Sequence, residues 1–392
     1  MEPKLRVGID VGGKSHQVAI AAPQGELLEE FAIPHCRQGF EHFFARVEHH
    51  RQGMEVAVAM EGHGGHDRPL DGEILRRGYE LVSVNNLKLA RFREVFPAPA
   101  KTDELDARLI LNLFLLEEHL PLSRGALARV SEVPEENQKL KHLARRRREL
   151  SEEKVRASCR MQSYLPAVCP ELLAITGSAD NRWFLRFLSC RDDLEKLARL
   201  RPETLLKIKG VGKKYAEVIR SWQEQAYFSP EVSWMGPMIV DDAKRILELL
   251  EQISRLERDM GELIPSSGIA RHIRSIPGFA DVSSGELAGE IGTLERFSSE
   301  ASLALYLGMC PLDRQSGSYH GSQAPRQVNK RARKAMVNAL SHHIKQVPQS
   351  RFLYERKRAE GKSHNQALRV VGRHLVRVIW CLLRDGRDYE IR

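Results

Sequence analysis

Four carboxylates in the first third of the sequence have the types and positions that metal-dependent chemistry on phosphate requires. Asp10 follows the apolar run Val7, Gly8 and Ile9, and Glu61 follows a second run, "VAVAM". Asp103 and Asp106 are three residues apart, which places both on one face of a helix. Mg²⁺ binds oxygen ligands, and two ions about 3.5–4 Å apart can stabilise both oxygens of a phosphoryl transfer. Each residue also has an ordinary interpretation, with Asp103 as a helix N-cap and Glu61 as a strand-end surface residue.

The elements around these carboxylates alternate as in an α/β domain. Residues 5–34 contain three closely spaced strands, typical of a meander, and a helix, a strand, a helix and a strand follow. This order predicts an RNase H-like sheet, in which the first strand and the later central strand are neighbours. Asp10 and Glu61 would then meet at one end of the sheet. The helix that carries Asp103 and Asp106 would be seated on the sheet by an apolar stripe: Leu105, Leu109, Ile110 and Leu113.

The middle of the chain, about 132–265, is helical and strongly charged. Apolar residues repeat there every seven positions in two series, Ile246, Ile253, Met260 and Leu249, Leu256, Leu263. Such a seam predicts a coiled-coil hairpin or a dimer contact. An ordinary amphipathic helix in a bundle explains three heptads equally well.

Two Gly turns lead into helices, "IKGVGKKYAEVI" at 208–219 and "IPGFADVSSGELAGEIG" at 276–292. Helix-hairpin-helix modules use such turns to present backbone N–H groups to a DNA phosphate. A helix corner closed by a Gly cap has the same pattern. The sequence leaves both interpretations open for the first turn.

Charge is concentrated at one end of the 392 residues. The last 92 residues hold 18 Lys and Arg against 6 Asp and Glu, whereas the first 300 hold 43 against 46. This segregation favours a polyanionic partner, nucleic acid, over a merely solvated surface. No apolar run reaches the roughly 20 residues of a membrane span, and the N-terminus has no signal-peptide core, so a cytoplasmic protein without membrane contact is predicted. The six cysteines show no zinc or disulfide spacing.

Ser316 lies in a polar, Gly-rich stretch, "RQSGSYHG". A lone serine in such a loop is usually a turn residue, and its hydroxyl needs activation before it can act as a nucleophile. From its residues alone this stretch therefore predicts no chemistry.

The motifs together resemble the DEDD-type transposases of insertion sequences, the Piv-like family of recombinases guided by a bridge RNA. The N-terminal part, with "GIDVGGKSHQVAI", "VAMEGHG" and "KTDELDARLI", is similar to the RuvC Holliday-junction resolvase. The C-terminal part matches in order through "IPGFADVSSGELAGEIG", "RFSSEASLALYLGMCP", "DRQSGSYHG" and "NKRARKAMVNAL". The resemblance covers about residues 5–165 and 270–390. The middle, about 170–265, is longer than in the family, and "GHGGHD" after Glu61 is richer in Gly and His.

The resemblance implies a RuvC-like catalytic domain at 1–120, a helical coiled-coil region at 121–265 and a C-terminal transposase domain at 266–392. It implies Mg²⁺, with two ions expected on the four carboxylates, and attack of Ser316 on a DNA phosphate to give a phosphoserine intermediate. Ser318 is the rival serine. The expected partners are DNA, a structured guide RNA and further copies of the chain in a dimer or tetramer, in the bacterial cytosol or nucleoid. Nucleic-acid contacts are expected from six basic residues, Arg314, Arg326, Lys330, Arg331, Arg333 and Lys334, and also from the basic C-terminal helices and the Arg run 145–148.

Three other functions share features with this sequence. A sugar kinase shares a glycine-rich turn after its first strand, but the chain has no Asp-x-Gly-Thr-Gly phosphate loop later on. A stand-alone junction resolvase or nuclease would use the same carboxylates without serine chemistry and would be much shorter. A non-catalytic nucleic-acid-binding protein would leave four converging carboxylates unexplained, since acids repel phosphate without metal.

Overall fold

The apolar runs of the first 130 residues form one sheet in the computed structural model of the chain. Its strands lie side by side in the order β3-β2-β1-β4-β5-β6. β1, β4 and β5 are parallel, and the other neighbours are antiparallel. The predicted meander and the two later strands are confirmed, whereas the short edge strand β6 was not predicted. The strands are β1 (Lys4–Val11), β2 (Ser15–Ala21), β3 (Leu27–Pro34), β4 (Glu55–Glu61), β5 (Glu80–Val84) and β6 (Leu127–Arg129).

Helices cover both faces of this sheet because its central strands are apolar on both sides. Alternate residues such as Ile9 and Met60 pack with Phe43 and Phe44 of α1. On the opposite face small side chains, including those of Ala57 and Ala59, pack under α4. The mixed sheet with helices on both faces is the predicted RNase H-like arrangement. The helices are α1 (Arg37–Arg51), α2 (Pro69–Arg76), α3 (Asn86–Arg93) and α4 (Asp103–His119).

The chain forms two compact units, Met1–Glu132 and Val133–Arg392. The three predicted regions thus fall into two units, and the predicted boundary at 265/266 lies inside the second. The structure describes residues 3–61, 69–94, 103–119, 127–316, 319–323, 325 and 328–390.

Two long antiparallel helices, α5 (Glu135–Val168) and α9 (Val232–Leu263), run through the second unit. Two ion pairs show the antiparallel direction: Arg147 pairs with Glu257, whereas Arg160, later in α5, pairs with Asp242, earlier in α9. The heptad seam of α9 faces α5 of the same chain, with Leu249 and Ile253 packed on Leu150. The seam is therefore used within the chain, and it does not supply the dimer contact considered from its spacing.

Short helices fill the end of this helix pair. Their aromatic side chains pack with those of α5 and α9 in one core, which contains Phe184, Phe187 and Trp222. The first Gly turn precedes α8, with Gly210 at a φ of 97° against the Cβ of Trp183. These helices are α6 (Arg182–Leu188), α7 (Pro202–Lys207) and α8 (Lys213–Gln223).

The C-terminal helices surround a second core, and the Gly turn at 276–280 is locked into it. Gly278 has a φ of 89°, and an added Cβ would stand 2.4 Å from the backbone nitrogen of His343. Ile276 and Phe279 on either side of it are buried. Among the described residues no helix is both long and apolar enough to cross a membrane. The elements are α10 (Gly268–Arg274), α11 (Asp281–Ile291), α12 (Glu300–Tyr306), β7 (Leu312–Ser316), β8 (Tyr319–Gln323), α13 (Lys330–Gln346), α14 (Pro348–Ala359) and α15 (His364–Asp385).

Candidate active site

Asp10 and Glu61 stand next to each other at the ends of two parallel strands. The paired residues of β1 and β4 end with Ile9 opposite Met60, and Asp10 and Glu61 follow one position later on each strand. Neighbouring strands are about 4.8 Å apart, so the two carboxylates leave the sheet as neighbours. Both residues are half-buried. The structure thus places these two residues as the sequence predicts.

Both carboxylates lie on the face of the sheet that α4 covers. Side chains alternate along a strand, so Asp10 shares its face with Gly8, two residues earlier. A Cβ added at Gly8 would stand 2.7 Å from the backbone oxygen of Ala107 and 2.8 Å from the backbone nitrogen of Leu111. Only glycine at this position allows the helix to lie so close to β1.

The direction of α4 brings its first turn to the strand ends. The Arg6 guanidinium lies 4.8 Å from the centre of the Phe114 ring, near the start of β1, and Gly8 lies under Ala107. The helix therefore runs antiparallel to β1, and its N-terminal turn points toward the end that carries Asp10. That turn holds Asp103 and Asp106, so all four predicted carboxylates belong to one end of the sheet. For Asp103 the structure describes the backbone only.

Asp106 is buried and paired with Arg93, the last residue of α3. Its carboxylate is 6% exposed and forms an ion pair with the Arg93 guanidinium. A buried carboxylate requires such a partner, because an isolated charge is costly away from water. Sequence reasoning missed Arg93, since no spacing ties it to the carboxylates. The signal that could have found it is chemical: a buried acid predicts a nearby cation.

The donor set at this end fits a hard divalent cation. Asp10, Glu61 and Asp106 offer carboxylate oxygens, which Mg²⁺ prefers over nitrogen or sulfur. Among the side chains that the structure describes, no three His, Cys, Asp or Glu groups already lie close enough to hold a metal ion. The Asp103 side chain is not among them. The Arg93 guanidinium meanwhile supplies the positive charge that a cation could provide.

Ser316 lies in the second unit, at the end of the hairpin strand β7. Its backbone pairs with Tyr319 across the hairpin β7–β8, and its side chain is outside the description, as is that of Arg314. Ser318 and Arg326 lie outside the described residues. The structure therefore gives the strand position of Ser316 and no geometry for its hydroxyl.

The remaining predicted nucleic-acid contacts begin α13. Lys330, Arg331 and Lys334 are exposed on its first turns, as a phosphate contact requires. Arg333 differs, because its side chain is half-buried and its stem packs over Gly308.

The Arg run 145–148 forms ion pairs within the chain. Arg145 donates two hydrogen bonds to the Glu290 carboxylate, at 2.9 and 3.1 Å. Arg148 pairs with Glu286 at 3.0 Å. Burial acts to raise the pKa of Glu290, but its hydrogen bonds from Arg145 and Asn329 outweigh this and lower it. The expectation that the whole run contacts RNA therefore needs correction, since Arg145 holds α5 to α11.

The chain is similar to proteins encoded by insertion elements along most of its length. Residues 7–170 match the model of the DEDD transposase domain of IS110 elements, and residues 270–355 match the Transposase IS116/IS110/IS902 family. The 43.6 kDa protein of insertion element IS110 from Streptomyces coelicolor is 26% identical to this chain. The alignment covers 98% of this chain and 95% of that protein. The 44.8 kDa protein of IS116 from Streptomyces clavuligerus is also 26% identical, and that alignment covers 98% of this chain and 96% of the IS116 protein.

A third relative, the putative transposase y4uE of Sinorhizobium fredii, is 27% identical over 51% of this chain and 55% of its own. The two matched models follow each other in chain order and together cover more than half of the residues. The N-terminal match contains Asp10, Glu61, Asp103 and Asp106, and the C-terminal match contains Ser316. The chain therefore carries both of these transposase domains in order and is a transposase, an enzyme that cuts and transfers DNA.

Proposed function

We propose that this transposase cuts and rejoins the DNA of an insertion element with two groups of residues. Asp10, Glu61, Asp103 and Asp106 would hold Mg²⁺, two ions by analogy with other phosphoryl-transfer sites. Ser316 would be the nucleophile. The observation that carries the proposal is the position of Asp10 and Glu61 at adjacent strand ends, under the helix turn that bears the other two carboxylates.

When bound, Mg²⁺ would neutralise charge on the scissile phosphate and lower the pKa of a coordinated hydroxyl. Within the chain, α4 fixes the position of Asp106 against the strand ends, and Arg93 orients its carboxylate. The Ser316 Oγ would form a bond to phosphorus while the bond to one deoxyribose oxygen breaks. That oxygen would leave with a proton, and the DNA would stay attached as a phosphoserine ester. A second DNA hydroxyl would then displace the serine and rejoin the strand.

Nucleic acid would be held by exposed cations of the second unit. Lys330, Arg331 and Lys334 support this role, and Arg314 and Arg326 are proposed with them from the sequence. A structured guide RNA and a dimer or tetramer of the chain are part of the same proposal. Sequencing of RNA that co-purifies with the protein tests the first, and light scattering of the purified protein tests the second.

The carboxylate assignment is tested by two substitutions at opposite ends of one strand. Glu61→Gln should abolish Mg²⁺-dependent cleavage of element-end DNA while DNA binding in EDTA is kept. Glu55→Gln is the matched control, because Glu55 is an exposed partner of Lys4 at the other end of β4. Asp10→Asn should behave as Glu61→Gln does. Full cleavage by Asp10→Asn or Glu61→Gln would contradict the assignment of these carboxylates to the catalytic site.

The serine is tested separately. Ser316→Ala should prevent formation of the covalent protein–DNA adduct, and Ser318→Ala should leave it intact. Denaturing gels of protein with labelled DNA detect the adduct. If both variants cleave DNA and no adduct forms with the unaltered protein, the chain acts by the second candidate chemistry, carboxylate-dependent cleavage without a serine.

A further inference from the structure

A cleft of about 670 Å³ opens in the second unit between α5, the Gly turn before α11, and α13. Its volume lies in the range of sites that bind small organic groups, about 300–1,000 Å³. All of its lining residues lie between 147 and 342, so the cleft belongs to one compact unit. The carboxylate end of the sheet plays no part in it.

Cations outnumber acids in the lining of the cleft. Four cations line it, Arg147, Arg148, Arg156 and Lys334, against the two carboxylates Glu152 and Glu286. Burial raises the pKa of Glu286, although Arg148 beside it acts in the opposite direction. The pair with Arg148 also offsets the charge of that carboxylate. The cleft therefore keeps an excess of positive charge.

Two of these cations are available to a ligand. Arg156 and Lys334 are exposed, and within the described part of the chain they take part in no ion pair. They lie on α5 and α13, two of the segments that line the cleft. An anion entering between the two helices could contact both.

Apolar side chains also line the cleft, namely those of Val155, Val282, Ala335 and Ala339. Val155 is 55% exposed, so its methyl groups lack a covering partner. The exposed imidazole of His342 stands in the same lining. Apolar side chains and a flat aromatic ring suit a planar heterocycle, since bases stack on such groups.

From the two unpaired cations and these apolar side chains we infer that the cleft binds one unpaired nucleotide of a nucleic-acid strand. The base lies against Val155 and His342, and the flanking phosphates contact Arg156 and Lys334. A volume of about 670 Å³ suits a single nucleotide, so a single-stranded segment or an extruded base is the ligand. An acidic peptide would satisfy the cations but would leave the apolar side chains without a planar partner. The inference rests on the proposed function for its claim that the partner is nucleic acid.

The test measures binding of the full chain to fluorescent oligonucleotides in EDTA, where no cleavage occurs. The probes are single-stranded DNA and RNA of equal length and the matching DNA duplex. The double variant Arg156→Gln, Lys334→Gln should weaken single-strand binding by about tenfold or more. Loss of two phosphate contacts should also reduce the slope of log affinity against log salt by about 1.4. The DNA and RNA arms tell which strand the cleft prefers.

The matched control removes two cations elsewhere in the second unit. Lys139→Gln, Lys244→Gln changes the net charge equally, at exposed residues whose partners are Glu135 and Asp192. It should leave both affinity and salt slope near those of the unaltered protein. Equal losses in the two double variants would overturn the inference, because they would show a general charge effect.

The base is tested with an abasic strand. The unaltered protein should bind the base-containing strand more tightly than the abasic one, and His342→Ala should reduce this preference. An unchanged preference in His342→Ala, or none in the unaltered protein, contradicts the inference. Glu55→Gln serves as a further reference, since Glu55 is an exposed residue of the first unit and this variant should bind every probe normally. If the cleft variants bind normally, the cleft inference fails alone. If the unaltered protein binds no nucleic acid, the proposed function fails with it.

Discussion

Gly8 of β1 lies so close under Ala107 of α4 that a Cβ added to it would stand 2.7 Å from the Ala107 backbone oxygen. This approach sets the height of α4 above the sheet. Since Asp106 precedes Ala107, it also sets the distance between the carboxylate of the helix and those of the strand ends. The glycine two residues before Asp10 is therefore part of the support of the site.

Gly8→Ala should accordingly disturb both folding and cleavage. The new methyl group meets backbone atoms of Ala107 and Leu111, which cannot rotate away, so the helix must shift. We expect a loss of about 1–3 kcal/mol in the free energy of unfolding, as for other overpacked cores. Denaturant unfolding measures it. Gly13→Ala is the control, because nothing lies within 4 Å of its added Cβ. Equal stabilities of the two variants would contradict the close approach.

Arg93→Gln should make the protein more dependent on a divalent cation. Without the guanidinium, the buried Asp106 carboxylate loses its partner, which should cost about 1–3 kcal/mol in the absence of metal. Mg²⁺ should then raise the melting temperature of the variant more than that of the unaltered protein. Thermal melts with Mg²⁺ and with EDTA make the comparison. In Arg93→Gln, Asp106→Asn the extra response to Mg²⁺ should vanish; its persistence would place the cation elsewhere.

Glu290→Ala should be strongly destabilising. The substitution removes the two hydrogen bonds that Arg145 donates to Glu290 and one of the acceptors of the Asn329 amide. Breaking a buried ion pair on one side costs about 3–5 kcal/mol. The double substitution Arg145→Met, Glu290→Leu removes both charges and should recover most of the loss. A small effect of Glu290→Ala in denaturant unfolding would show that water reaches this pair.

The stability of the protein should fall in mild acid because of His343. Its ring is 1% exposed, and burial lowers its pKa below the ordinary value. Nδ1 donates to the Pro277 carbonyl oxygen at 2.6 Å, so in the neutral ring Nε2 accepts from the Ser350 hydroxyl.

Because the folded state holds the proton less tightly than the unfolded state, this contribution to stability is complete above pH about 6.5. It is lost as the pH falls through the lowered pKa, with a slope of at most about 1.4 kcal/mol per pH unit. Unfolding measured from pH 5 to 8, roughly the range in which histidine titrates, gives this slope. His343→Gln should flatten it, whereas His342→Gln, an exposed neighbour, should not. A slope unchanged in His343→Gln would assign the acid sensitivity to another group.

The sequence predicted the parts of the site that depend on chain periodicity. Strand alternation and the position of an acid after an apolar run sufficed to place Asp10 and Glu61, and the apolar stripe with Leu109 and Ile110 sufficed to seat α4. Arg93 was beyond prediction because its contact with Asp106 depends on how α3 and α4 turn toward each other. The same holds for the cleft, whose walls come from segments more than a hundred residues apart.

The heptad seam of α9 shows a feature that the sequence predicted only in part. The spacing of Leu249 and Ile253 predicted an apolar contact correctly, but periodicity contains no information about which helix provides the other side. Leu150, which does so, lies about a hundred residues earlier in a highly charged stretch. The Arg run in that stretch was interpreted from its charge, although Arg145 is held inside by Glu290.

Helix α5 runs without a break for 34 residues, about 50 Å, and contributes to several separate cores. Leu140 and Ala144 belong to one, Leu150 to a second and Met161 to a third. Because one continuous helix joins three cores, a shift of α5 at one of them also displaces the residues that it contributes to the others. A displacement of Arg156 at the cleft would therefore reach Met161, five residues further on, and with it the core that contains Trp222.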